Sequence, residues 1–197
     1  MARTLSRGWF ARSAPEVAPD LLGRILAHTL PDGAVIRARI VETEAYEPDD
    51  PASHAARGQT ERNAAMFGPP GHLYVYFVYG MHHCMNVVTG PVGRGSAVLL
   101  RAAEPLEGLD VMRARRGSGD RDLCRGPARL AQAFGIDRAF DGVDLLGAGP
   151  LRIEAGRPIP KTLIRSTARI GVSVGTEARW RFVARASAWA SREPSRP

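Results

Sequence analysis

Residues 34–46 constrain the fold more than any other part of the sequence, because they predict one long strand. Successive side chains of a strand point to opposite faces. One face carries Ile36, Ala38, Ile40, Glu42, Glu44 and Tyr46, and the other carries Val35, Arg37, Arg39, Val41 and Thr43. Because the first face begins apolar and ends in two carboxylates and a phenol, we expect the core to open into a pocket where this strand ends.

The other periodic segments predict an α+β fold. Strands are expected at residues 24–30, 73–79, 82–88, 96–103, 151–154, 168–174 and 180–186, and helices at 14–22, 107–116 and 127–134. Gly80-Met81 separates two of the strands, which indicates a β-hairpin. Strands joined by hairpins with helices beside them favour α+β over a doubly wound sheet. We expect a single domain over residues 1–197, with loosely ordered tails at about 1–9 and 192–197.

The charge balance narrows the classes of partner. The chain has 27 Lys plus Arg against 20 Asp plus Glu, a net charge of +7, and every basic residue except Lys161 is arginine. A basic surface favours polyanions such as nucleic acid, an anionic membrane or an acidic protein. Arginine matches phosphate oxygens bidentately, although biased codon usage would produce the same ratio of arginine to lysine.

Several classes of protein are disfavoured. The sequence has no apolar run of about 18 residues, so we expect no membrane span. Cys84 and Cys124 are far apart and form no paired motif, which argues against a disulfide framework or a zinc ribbon and favours a reduced, cytoplasmic compartment. No glycine-rich phosphate loop follows a strand, so a nucleotide cofactor is not indicated.

Tyrosine is confined to one part of the chain. The four tyrosines are Tyr46, Tyr74, Tyr76 and Tyr79. Aromatic faces stack on nucleobases, which contributes about 1–3 kcal/mol per base. The same residues would also serve as ordinary cross-strand packing in a sheet, and the hairpin by itself does not distinguish the two roles.

Charged residues near these tyrosines are candidates for chemistry. Glu42 and Glu44, with His54 downstream, could supply a general base that activates water, or could be surface carboxylates at a strand end. Arg101 lies in an apolar run and needs a carboxylate partner, for which Glu44 and Glu42 are candidates in either a site or a structural ion pair. The neighbouring histidines at 82 and 83 point to opposite faces of a strand, so we expect no metal site.

Together these residues resemble the alkyladenine (3-methyladenine) DNA glycosylase family. The matching strings run in the same order from about residue 10 to 191, and several are long. They are LLGR at 21–24, IVETEAY at 40–46, GHLYVY at 71–76, YGM at 79–81, CMNV at 84–87, VLLRAAEPLEG at 98–108, CRGP at 124–127 and RIGV at 169–172.

The resemblance implies a curved, mainly antiparallel sheet with flanking helices and a protruding hairpin that enters the DNA minor groove. It assigns residues to three roles. The residues implied for DNA intercalation are Tyr79 and Met81 at the hairpin tip. Those implied for the base pocket are Tyr46, Tyr76, His54 and Asn86, and those implied for catalysis are Glu44, Arg101 and Val172.

In those roles, Tyr46 and Tyr76 would sandwich the flipped base, and His54 would contact the base edge and its backbone. Asn86 would line the floor and help exclude guanine through its exocyclic amine. Glu44 would be the general base, while Arg101 and the main-chain carbonyl of Val172 hold the attacking water.

Two departures from the family pattern affect these assignments. The stretch between Tyr46 and His54 is one residue shorter than in mammalian members. His82 and His83 stand where those members carry bulky aromatic residues.

The implied activity is that of a monofunctional DNA-3-methyladenine glycosylase. It would excise alkylated or deaminated purines (3-methyladenine, 7-methylguanine, hypoxanthine and ethenoadenine) from duplex DNA with no metal or organic cofactor, as a monomer associated with the nucleoid. The single lysine, Lys161, lies outside the matched site and is not placed to form a Schiff base, so water is the expected nucleophile, with the N-terminal amine as the formal exception. The alternatives are a nucleic-acid binder without catalysis and a small-molecule hydrolase.

Overall fold

The strand at residues 35–46 is the centre of a sheet in the computed structural model, which describes residues 5–78, 80–185 and 187–191. Within those residues, eight strands form the sheet. In chain order they are β1 Ile25–Thr29, β2 Val35–Tyr46, β3 Leu73–Val78, β4 His82–Thr89, β5 Ser96–Glu107, β6 Leu151–Glu154, β7 Ile164–Thr167 and β8 Arg181–Ala184.

Each strand pairing in the sheet is antiparallel. The order is β3-β4-β5-β2-β1-β6; in addition β8 pairs with β2, and β7 pairs with β8. β5 runs along one edge of β2, while β1 and then β8 occupy its other edge. The helices gather beside this sheet, which confirms the predicted α+β class and the mainly antiparallel sheet.

Two irregularities in the β2–β5 pairing decide which way the site residues point. Ile40 pairs with Ala103 and Glu42 with Ala102, so Val41 is an extra residue on β2; Thr43 then pairs with Leu100, so Arg101 is an extra residue on β5. A bulge bends a strand and re-aims its side chains. These bulges account for the curvature of the sheet here.

The bulge at Val41 corrects one prediction. Ile36, Ala38 and Ile40 belong to the main core, and so does Ala45 after the bulge. The extra residue reverses the alternation, because side chains alternate with a period of two. The three apolar side chains therefore do not share a face with Glu42, Glu44 and Tyr46 as predicted, although the strand does end at a pocket.

The core lies between the sheet and three helices. These are α2 Ala14–Asp20, α3 Leu109–Arg116 and α4 Pro127–Phe134. α4 has the bounds that the sequence predicted: proline is at its first position, where a missing N–H costs nothing, and Gly135 follows it with φ 67°. The predicted start of α3 at residue 107 was too early, because Glu107 still belongs to β5 and pairs with Arg37 of β2.

A short helix, α1 Arg7–Phe10, precedes these, although the sequence predicted a loosely ordered tail as far as residue 9. Phe10 is completely buried in the core, and Arg7 forms an ion pair with Asp144.

The predicted strand at residues 168–174 is wrong. The chain forms β7 at Ile164–Thr167 and then a loop in which Gly171 and Gly175 adopt positive φ angles of 77° and 60°. Glycine permits this left-handed backbone, which interrupts an extended strand. The loop instead places its backbone and Arg169 against the end of β2.

Candidate active site

A cavity of about 450 Å³ lies between the hairpin, the end of β2 and the loop that follows β7. Six of the residues predicted for catalysis or the base pocket line it, namely Tyr46, His54, Tyr76, Asn86, Arg101 and Val172. They come from four strands and two loops, so only the fold brings them together. Tyr74, Met66, Leu99 and Ile170 add to the wall.

Glu44 is fully buried immediately behind this wall. Its Oε2 accepts hydrogen bonds from the Tyr46 hydroxyl at 2.9 Å and from Arg101 Nη1 at 3.1 Å. Its Oε1 accepts from the backbone N–H of Ile170 at 2.8 Å. All three partners are donors, which suits an ionised carboxylate, because that group only accepts. Each of these partners also lines the cavity.

Arg101 links Glu44 to Glu42. Its Nε donates to Glu42 Oε1 at 3.3 Å, and its Nη1 reaches Glu44 as described. Burial opposes the charge of this guanidinium, but the two glutamates outweigh burial and raise its pKa. The bulge at Arg101 is what turns the side chain toward the carboxylates and the cavity.

Aromatic side chains form the rest of the wall. The rings of Tyr74 and Tyr76 are tilted by 33° with centroids 5.8 Å apart, and the His54 ring meets Tyr76 edge-on at 4.5 Å. Burial, followed by the charge of Glu44, raises the pKa of the Tyr46 phenol, so its hydroxyl remains a donor. Burial likewise raises the pKa of Tyr76.

His54 stands at the mouth of the cavity. Its Nδ1 lies 2.9 Å from the Tyr74 hydroxyl. Partial burial, followed by the nearby charge of Arg62, lowers the pKa of the imidazole. A neutral ring has one nitrogen that donates and one that accepts, so with Nδ1 engaged by Tyr74 the other nitrogen can serve a ligand.

Asn86 is held in place by its cross-strand neighbour. It pairs with Tyr74 across the hairpin, and its side-chain nitrogen donates to the Tyr74 carbonyl oxygen at 3.1 Å. This bond fixes which side of the amide faces the cavity. Burial raises the pKa of the nearby Cys84 thiol, which also lines the cavity.

The structure adds a buried ion pair that the sequence did not predict. Both terminal nitrogens of Arg169 donate to the Asp50 carboxylate, and Nη2 also donates to the Gly175 carbonyl oxygen at 3.0 Å. Arg169 lies in the RIGV string, but no spacing in the sequence connects it to Asp50. Only the loop after β7 brings the two together.

The hairpin that was predicted to enter DNA lies beside the cavity. Tyr79 lies outside the described residues. Met81 is 70% exposed, and Phe77 packs against His83 with ring centroids 4.9 Å apart. His82 lines the cavity.

The described residues contain neither a candidate metal cluster nor a membrane-spanning helix. Across 5–78, 80–185 and 187–191 there is no group of three or more His, Cys, Asp or Glu side chains suited to a metal ion. Over the same ranges no helix combines the length and apolar character needed to cross a membrane.

The sequence is similar to known proteins over nearly its whole length. The model of the methylpurine-DNA glycosylase family matches residues 8–188. A Streptomyces avermitilis protein is 53% identical over 97% of this chain and 89% of its own length, and a Burkholderia lata protein is 56% identical over 90% and 86%. A Carboxydothermus hydrogenoformans protein is 46% identical over 96% and 99%. All three carry the name "Putative 3-methyladenine DNA glycosylase". This chain therefore belongs to the methylpurine-DNA glycosylase family.

Proposed function

We propose that this protein extrudes a damaged purine from duplex DNA into the cavity and hydrolyses its N-glycosidic bond with an activated water, leaving an abasic site. One observation carries the proposal: the buried Glu44 carboxylate is held at an aromatic cavity by Tyr46, Arg101 and the Ile170 N–H. The names of the three relatives add 3-methyladenine as a first substrate to test.

Cleavage of the bond between base and sugar develops oxocarbenium character on the sugar. We place the sugar at the end of the cavity beside Glu44, where a carboxylate stabilises that positive charge and accepts a proton from the attacking water. Arg101 and Val172 line the cavity, and we assign the Arg101 side chain and the Val172 main-chain carbonyl to hold the water. Arg101 also keeps the Glu44 carboxylate in one orientation.

We assign recognition of the base to the rings that line the cavity. Tyr46 and Tyr76 are the walls between which the purine would stack. Alkylation at N3 or N7 makes a purine cationic, and a cation against an aromatic face gains cation–π attraction. Since both phenols have raised pKa values, they remain neutral. The oriented amide of Asn86 would reject guanine by meeting its exocyclic amine.

We assign the hairpin to the DNA minor groove. Met81, exposed at the tip, and Tyr79 would occupy the gap that the extruded nucleotide leaves. The net charge of +7 favours this contact with the phosphate backbone. One chain supplies every residue of the proposed site, so the proposal needs no second copy.

Water is the nucleophile in this proposal. A glycosylase that also cuts the strand needs an amine to form a Schiff base. Lys161, the single lysine, lies in a short 3-10 helix, Lys161–Leu163, and is exposed to solvent away from the cavity lining. We therefore propose excision without strand cleavage.

The test uses four duplexes that carry one 3-methyladenine analogue, 7-methylguanine, hypoxanthine or ethenoadenine. Protein in excess should generate sites that break only after alkali treatment, and borohydride should trap no covalent complex. The matched control is the same duplex with an ordinary purine at that position, which should remain intact. Folded protein that releases no base from any of the four would overturn the proposal. Tight binding without release would indicate a binder without catalysis.

A further inference from the structure

Arg169 has a fully buried side chain that connects three segments beside the cavity. Its Nη1 donates to the Ala45 carbonyl oxygen at 3.1 Å, next to Tyr46 at the end of β2. Its Nη2 donates to Asp50 at 2.9 Å and to Gly175 at 3.0 Å. One guanidinium therefore bonds to the strand end, to the segment before His54 and to the loop that carries Val172.

Arg169 also supports the Tyr46 ring directly. Its guanidinium carbon lies 4.8 Å from the centroid of that ring and 5.4 Å from the centroid of Trp180. Tyr46 lines the cavity, whereas Arg169 does not. The ring is thus supported by a cation outside the cavity, while its hydroxyl is held by Glu44.

The residue after Arg169 is equally constrained. The Ile170 N–H donates to Glu44, and the chain continues along the cavity through Gly171 to Val172. A displacement of the Arg169 side chain would therefore move a donor to the general base and the carbonyl that we assign to the attacking water.

We infer that Arg169, paired with Asp50, is a positioning residue for catalysis: its side-chain contacts set the Tyr46 ring and the Ile170–Val172 backbone relative to Glu44. This inference rests on the proposed glycosylase function. Arg169 touches neither substrate nor water in it. Effective catalysis depends on such placement, and an error of about 1 Å can reduce a rate about 100-fold.

The geometry of the guanidinium distinguishes this role from simple charge neutralisation. Lysine keeps the positive charge beside Asp50 but lacks the planar fork that bonds two oxygens in parallel. It also cannot reach Ala45, Asp50 and Gly175 together with one nitrogen. Charge alone would be preserved in R169K, and only the placement would be lost.

The experiment compares R169K with the wild type in single turnover at saturating protein on the ethenoadenine duplex. We expect the excision rate to fall by about 100-fold, while the dissociation constant for the duplex changes by less than about threefold. Ethenoadenine fluorescence reports the stacking of the flipped base and should show a less quenched bound state. R179K is the matched control: Arg179 is exposed, follows in the same segment and donates to the Ser166 carbonyl oxygen. It should behave as wild type.

D50N is a second variant of the same ion pair and tests the inference if R169K does not fold. It should slow excision in the same direction, and the double variant R169K/D50N should be no slower than the slower single variant, because residues that act as a unit are not additive. An R169K rate within threefold of R179K, measured well below both melting temperatures, overturns the inference and leaves the glycosylase proposal intact. A wild type that releases no base from any of the four lesion duplexes overturns both.

Discussion

Glu42 and Glu44 lie two residues apart on β2, and comparing them shows how one strand supplies both a structural and a catalytic candidate. Both side chains are fully buried, and both accept a hydrogen bond from Arg101. Their other partners differ. Glu42 accepts from Arg181 Nε at 2.7 Å and from the Ser191 N–H at 2.5 Å, whereas Glu44 accepts from Tyr46 and Ile170.

The partners determine what each carboxylate can reach. Those of Glu44 line the aromatic cavity. Arg101 and Ser191, on the Glu42 side, border a second hollow of about 370 Å³, and its described lining consists of arginine, aspartate, glycine and serine. That lining offers no ring on which a base could stack. A buried carboxylate is therefore a candidate base because of what its partners face, since burial and charge are the same for both.

The largest expected effect is that of Glu44→Gln. The amide keeps the shape of the side chain but cannot accept a proton from water, and loss of a general base costs about 10²- to 10⁴-fold. Single-turnover excision of hypoxanthine should fall within that range, while the duplex still binds. If E44Q excises at the wild-type rate, Glu44 is not the base and its distinction from Glu42 fails.

Glu42→Gln should affect stability instead. Removing the charge leaves Arg181 and Arg101 without their shared buried carboxylate, and breaking a buried ion pair from one side costs about 3–5 kcal/mol. Urea unfolding should show this loss. The excision rate of the folded fraction should fall by less than about tenfold, because Glu44 keeps its contacts with Tyr46 and Ile170. A loss of rate as large as that of E44Q would contradict the distinction between a structural Glu42 and a catalytic Glu44.

How much of this could be predicted depends on the range of the interactions. Local patterns predicted the α+β class, the hairpin and the bounds of α4, since alternation, proline and glycine act within a few residues. The bulges at Val41 and Arg101 depend on the register between two strands. No alternation within one strand reveals them, so the face predicted for Glu42 and Glu44 relative to Ile40 was wrong.

The same distinction between local patterns and long-range contacts applies to the site. The resemblance named the six lining residues, all but His54 within distinctive strings, and the geometry brings them to one cavity. The Arg169–Asp50 pair was missed, since its members are far apart in sequence and meet only through a loop. The contact between Ile170 and Glu44 was missed as well. A regular strand at 168–174 would use the Ile170 N–H in its hydrogen-bond ladder, whereas here this N–H donates to Glu44.

Arg101→Lys tests the partner that both glutamates share. Lysine keeps the charge but cannot place two donors in the fork geometry, so one of the two carboxylates loses a hydrogen bond to a charged group, which contributes about 1.5–3 kcal/mol. We expect a combined loss of that size, divided between excision rate and urea stability. A loss mainly of excision rate would indicate that lysine stays with Glu42, and a loss mainly of stability that it stays with Glu44. If rate and stability are both unchanged, Arg101 is not the partner that both glutamates depend on.

The smallest expected effect concerns pH. It compares a histidine of the core, which should affect stability alone, with the residues that line the cavity. His28 is buried, and its Nδ1 lies 2.9 Å from the Phe134 carbonyl oxygen. Burial lowers its pKa below the ordinary 6.5, so the folded protein binds this proton less readily than the unfolded chain does. Its contribution to stability is therefore complete above about pH 6.5 and is lost as the pH falls toward the lowered value, by at most about 1.4 kcal/mol for each unit of separation.

Urea unfolding from pH 7.5 to 5 should show this decline, and His28→Gln should reduce its slope while excision at pH 7.5 stays unchanged, because His28 lies away from the cavity. If the slope persists in that variant, the titration belongs to another group, and His54 at the cavity mouth is the first to replace.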